Sequence, residues 1–213
     1  MDFLTSADGL KLCIRSHKAD NEKARLMIVH GLGEHGDTFG NVIAAVQPKG
    51  YSVWTFDLRG HGQSEGPRGH INQFEDYLAD VRICLEHVKQ DNPAGQPVFL
   101  MGDSLGGLIV VRFALAFPDM VDGVIASAPG IGQATVSPVK KMVGKLISGI
   151  FPRLTVGNGL DFSTACHDEN WLRHHAQDPL IHDRVTARFF TEFTRTQALV
   201  QQESPNLSVP LLM

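Results

Sequence analysis

Apolar residues in this 213-residue chain fall in short runs separated by amphipathic stretches, and the two alternate through the first half. Residues 10–16 (LKLCIRS) read as a strand, and Asp8-Gly9 before them suits a tight turn from a short first strand. Residues 25–30 (RLMIVH) form an apolar run, as a strand buried on both faces would, and residues 51–56 (YSVWTF) repeat the pattern. Asn72 with Glu75 three residues on has the spacing of a capping box. Phe74, Tyr77, Leu78, Val81, Cys84, Leu85 and Val88 then share one helical face. Residues 98–101 are strand-like, Ser104–Phe117 is a helix apolar on nearly all sides, and residues 121–126 give one more strand. Strands alternating with helices predict an α/β fold, a mostly parallel sheet with helices on both faces.

After Pro129 the rhythm breaks. Ser137-Pro138 suits a helix start. Val139, Met142, Val143, Leu146, Ile147 and Ile150 then form a stripe, with Lys140, Lys141 and Lys145 off it. The expectation is that this stripe packs onto cap and core; the alternatives are an acyl-chain tunnel or a membrane surface. A loop (PRLTVGNGLD) and polar helical stretches follow. The resulting division is a core over 1–130, an inserted helical cap over 131–206, and the start of a further core strand over 207–213.

The charge of −4 and the lack of a basic arm argue against a nucleic-acid partner. No secretory signal pattern and no spanning apolar run are present. Three cysteines (Cys13, Cys84, Cys166) without a CxxC pair suit a reducing compartment, so a cytoplasmic protein is expected. The chain carries no signal for its oligomeric state.

Chemistry enters at residues 102–106. Gly102-Asp103-Ser104-Leu105-Gly106 lies between a predicted strand and a predicted helix, the context of a nucleophile elbow. Such a turn lifts the Ser104 hydroxyl above the strand ends and puts the Leu105 amide at a helix N-terminus, able to donate to an oxyanion. Gly107 is expected to let the helix approach the sheet. The second oxyanion amide should come from a loop after an earlier strand, and in His30-Gly31-Leu32-Gly33 that is Leu32. His30, at the strand end, is expected to hold this loop in shape rather than to move protons.

HGLGEH, FDLRGHGQSEG, FEDYLADV, GDSLGG, SAPG, LTVGNGLD and DPLIHDRV occur in this order, and together they resemble the monoacylglycerol lipase and lysophospholipase branch of the α/β-hydrolases. The resemblance covers essentially the whole chain. It implies ester hydrolysis by a Ser-His-Asp triad under a lid that admits one acyl chain. It also implies no cofactor, a lipid ester as substrate and transient contact with membranes or micelles. By position it makes Ser104 the nucleophile and the Leu32 and Leu105 amides the oxyanion donors. Glu34 then stands near the head group, and Asp57 and Arg59 brace the loops around the site.

Two stretches depart from the family pattern. Asp103 stands where histidine is usual, and its carboxylate could raise the pKa of a nearby histidine or point to solvent. Gly36-Asp37-Thr38-Phe39 replaces the usual arginine and tyrosine. In this fold the acid and histidine follow the nucleophile in chain order, so both, with the last strands of the sheet, are expected beyond Met213. His167, His174, His175 and His182 lie among Asp161, Asp168, Asp178 and Asp183 without metal-ligand spacing, and read as solvated cap residues. Nothing aims His35 or His61 at Ser104. The chain alone is therefore expected to be nearly inactive. The runner-up readings are a small-ester carboxylesterase or thioesterase, and a catalytically inactive binding protein.

Overall fold

The computed structural model describes residues 1–90, 92, 95–132, 138–159 and 167–213, and of residues 138–141 and 143 the helical backbone alone. The readings placed on Ser137, Asp161 and Cys166, and on the side chains of Val139, Lys140, Lys141 and Val143, lie outside the described residues.

Seven strands form one sheet. In chain order they are β1 (Asp2–Thr5), β2 (Lys11–His17), β3 (Ala24–Val29), β4 (Tyr51–Phe56), β5 (Val98–Asp103), β6 (Gly123–Ser127) and, after the cap segment, a last strand over Leu211–Leu212. Across the sheet, β1 and β2 occupy one edge, followed by β4, β3, β5, β6 and the Leu211–Leu212 strand. β2 pairs antiparallel with both β1 and β4, and every other pairing is parallel. All six residues of β3 are buried, because its central place gives it a strand on each side and helices above and below.

Helices α1 (Gly40–Val46), α2 (Glu75–Gln90) and α3 (Leu105–Ala116) cover the sheet. Ile43 of α1 packs with Leu26, Ile28 and Val53 on one face. α2 and α3 pack on the other face with Leu12, Met27, Val29, Trp54 and Leu100, the larger core. The predicted stripe of α2 is buried from Phe74 to Val88. Its start differs from the expected capping box. The helix begins at Glu75, and the carboxylate that reaches back is that of Asp76, accepting from the Asn72 and Gln73 N–H groups. Glu75 instead meets Arg195 at the surface.

The remaining elements are α4 (Pro138–Ile150), β7 (Thr155–Gly157), α5 (Glu169–Gln177), β8 (Arg184–Thr186) and α6 (Ala187–Glu203), after which the Leu211–Leu212 strand is β9. β7 and β8 pair into a two-stranded antiparallel ribbon that the apolar pattern did not announce, three residues being too few to show a period. Nor is α6 a solvated polar helix. It packs on α3 and α4 and buries Phe189, Thr196, Gln197 and Val200. The α4 stripe departs from the packing expected of it: Met142, Leu146 and Ile150 stand in solvent, each more than half exposed. Gly144 faces Phe190 of α6, and the Ser148 carbonyl accepts from Arg188, so α4 meets α6 through these small residues while Met142, Leu146 and Ile150 point outward.

Candidate active site

Ser104 joins β5 to α3 at φ 49° and ψ −111°, backbone that a side-chain-bearing residue rarely adopts and that costs about 1–3 kcal/mol. Its surroundings hold it there. Its N–H donates to the Ser127 carbonyl (3.0 Å), and its own carbonyl accepts from Leu108 N–H (3.1 Å) and Gly130 N–H (2.8 Å). The flanking glycines are required by contact. A Cβ on Gly102 would stand 2.2 Å from the Gly106 carbonyl oxygen, and one on Gly106 would stand 2.1 Å from that of Val29. Gly106 thus lets α3 approach the sheet, the part expected of Gly107. A Cβ on Gly107 would instead strike Pro129.

The residue 30–34 loop lies against the serine. A Cβ added to Gly31 would be 3.6 Å from Ser104 Cβ and 2.8 Å from Glu34 Oε2. Among the described residues, no hydrogen bond uses the N–H of Leu32 or of Leu105. Two donors beside the serine are therefore unspent, as an oxyanion site requires. The Glu34 carboxylate accepts from Gly31 N–H (3.2 Å), and burial, aided by the Asp103 charge, pushes the Glu34 carboxyl above its ordinary range. Asp103 is part-buried and meets no histidine among the described residues. It accepts from the Ser127 hydroxyl (2.7 Å) and so ties the end of β5 to the end of β6.

His30 is fully buried. By its hydrogen-bond network its Nδ1–H donates to the Gly31 carbonyl (2.7 Å), and its Nε2 accepts from Leu58 N–H (2.9 Å). Both nitrogens are occupied, and burial lowers its pKa to about 4. Asp57 accepts from Arg15, Gly36 N–H and Gln63 N–H, fixing three segments at one carboxylate. Burial raises the Asp57 pKa, but Arg15 and the two amides outweigh it and keep the group ionised. Arg59 grips Asp80 with two bonds (2.6 and 2.7 Å) and Asp8 with two more (2.9 and 3.1 Å), pinning α2 and the β1–β2 turn to the loop after β4. Both residues brace loops.

No hydrogen bond reaches the Ser104 hydroxyl among the described residues. His35 bonds Asp178 (2.9 Å), and His175 lies under Trp171. No group of three or more His, Cys, Asp or Glu side chains that could hold a metal is found among the described residues. No described helix is long and apolar enough to cross a membrane.

Several structural partners escaped the sequence reading. Ser127, Ala128 (φ 37°) and Gly130 form the strap behind the serine, and the SAPG at the end of β6 was their only sequence signal. Gln197 of α6 donates to the Gly130 and Gly132 carbonyls (2.7 Å each) and holds that strap from the cap side.

The family described as serine aminopeptidase, S33 matches residues 20–213. The chain belongs to this family. It is 30% identical over 217 residues to the monoglyceride lipase of Rattus norvegicus, a match covering 100% of this chain and 71% of that one. It is 31% identical over 200 residues to phospholipase YtpA of Bacillus subtilis, covering 92% and 76%. The crystal structure of the Paleococcus ferrophilus monoacylglycerol lipase superposes with a TM-score of 0.83 at 30% identity, covering 94% of this chain and 75% of that one. This S33-family chain thus has the α/β-hydrolase fold and is homologous to ester hydrolases.

Proposed function

We propose that this chain supplies the nucleophile and oxyanion donors of a serine ester hydrolase acting on monoacylglycerol or lysophospholipid. The observation that carries the reading is Ser104, held at positive φ between β5 and α3 with the Gly31-Leu32 loop packed against it. Ser104 Oγ attacks the ester carbonyl, the Leu32 and Leu105 amides receive the oxyanion, the alcohol leaves, and water then releases the fatty acid from Ser104. Glu34 stands at the head-group side, where its carboxyl can exchange hydrogen bonds with hydroxyls. His30, Asp57 and Arg59 support the loops. No cofactor takes part.

The base is the weak link. Without a histidine bonded to the serine, residues 1–213 alone hydrolyse esters slowly, since losing the base of such a triad lowers kcat by roughly 10⁶. The second reading is a catalytically inactive α/β-hydrolase-like binding protein. We also propose the division into core (1–130), cap (131–206) and further core strand (207–213). The exposed cap residues Met142, Leu146, Ile150 and Phe151, flanked by Lys145 and Arg153, form a face for transient contact of a cytoplasmic protein with lipid aggregates.

The test is to assay an activated long-chain ester with and without added imidazole, which can stand in for the base. Wild-type protein is expected to gain turnover with imidazole and to carry an acyl mass on Ser104, and Ser104→Ala to do neither. Equal imidazole-stimulated rates in the two proteins refute the assignment. Retained lipid affinity with no acylation at all favours the binding protein.

A further inference from the structure

The cap segment after Asp178 reaches into the core beside the candidate oxyanion loop. His182 N–H donates to the Gly33 carbonyl (3.0 Å), and the room for this contact exists because residue 33 is glycine: a Cβ there would stand 2.1 Å from the His182 carbonyl oxygen. The His182 ring is fixed at both ends. Its Nε2–H donates to the Gly60 carbonyl (3.1 Å), and its Nδ1 accepts from Arg184 N–H (3.2 Å).

That ring packs against His61 in a tilted arrangement at 4.7 Å between centroids, and His61 lies 5.3 Å from His30, also tilted. His61 is fully buried with its Nδ1–H on the Arg59 carbonyl (3.0 Å), while its Nε2 has no partner among the described residues. His30 ends the row, and its Nδ1–H holds the Gly31 carbonyl. Three imidazoles therefore run from the cap to the peptide that precedes Leu32. Burial lowers the pKa of each, which disfavours charge on the packed rings.

We propose that His182 is a positioning residue through which the cap sets the conformation of the Gly31–Gly33 loop. This rests on the reading of that loop as the oxyanion site. With His182 in place, His61 is trapped between two rings, and His30 has one orientation in which to hold Gly31. With it gone, a void of roughly one ring opens beside His61, whose unpartnered Nε2 favours water entry, and the clamp on Gly31 loosens.

The experiment compares wild type, His182→Ala, His182→Phe and Trp171→Ala by ¹H–¹⁵N NMR and by binding of an alkylboronic acid. Boronate on Ser104 places an oxygen where the oxyanion would sit. Trp171→Ala alters the cap away from the row and controls for general loosening. His182→Phe keeps a ring against His61 and keeps the measurement available if the alanine variant folds poorly.

The expected result is amide exchange at Gly31, Leu32 and Gly33 about tenfold faster in His182→Ala, with loss of the sharp His30 Nδ1–H signal and about tenfold weaker boronate binding. His182→Phe should fall between that and wild type, and Trp171→Ala should match wild type. Unchanged exchange in His182→Ala, or equal changes in Trp171→Ala, overturns the role of His182 while boronate binding still supports the site. A wild-type protein that takes no boronate on Ser104 overturns the oxyanion reading itself, whatever the exchange rates show.

Discussion

Acid should weaken this fold through His30, and the size of the effect follows from its surroundings. The ring is fully buried with both nitrogens bonded, and its pKa is lowered to about 4. In the unfolded chain the same ring takes a proton near pH 6.5. Between those values the unfolded state binds more protons, so stability falls as pH falls through the window. From about pH 7.5 to about pH 4.5 this one residue withdraws about 2–3 kcal/mol. His61, lowered by burial and by its histidine neighbours, acts in the same direction. Glu34 and Asp80, whose burial raises their pKa values, act in the opposite one. The contribution of His30 is therefore read as a difference. His30→Asn keeps an N–H that can meet the Gly31 carbonyl and removes the titration. Urea unfolding of both proteins, followed by fluorescence of the buried Trp54, should show a stability loss between the two pH values smaller by about 2–3 kcal/mol in the variant. Parallel pH dependences would refute the claim that His30 is held neutral.

Four other outcomes test the packing of the fold. Ser104→Gly should raise stability by about 1 kcal/mol over Ser104→Ala in thermal melts, because glycine relieves the positive φ that alanine retains. Arg59→Met should cost about 3–5 kcal/mol in urea titrations, since it strands the fully buried Asp80, and adding Asp80→Leu should recover most of that loss. Gly106→Ala should destabilise by about 3 kcal/mol because its Cβ meets the backbone oxygen of Val29. Gly40→Ala, at the start of α1 with nothing within 4 Å, should stabilise by about 0.5 kcal/mol.

What the order of residues determined by itself was the part governed by local rules. Apolar runs near 25–30, 51–56 and 98–101 became β3, β4 and β5, because a strand buried on both faces needs no partner to be recognised as apolar. The glycine-framed Ser104 became a strained turn, because only small flanking residues permit that backbone, and the pattern records the requirement. The tertiary structure alone decided what each polar group touches. Asp103 was free to face a histidine or solvent until folding set it beside the Ser127 hydroxyl, 24 positions away. Gln197 and His182 looked like residues of a polar cap, and only the docking of α6 and of the 178–184 segment turned them toward Gly130 and Gly33. Hydrophobic periodicity reports burial along a single element. Hydrogen bonds between distant segments leave no period in the sequence, so the clamp around the serine became visible only when the elements came together.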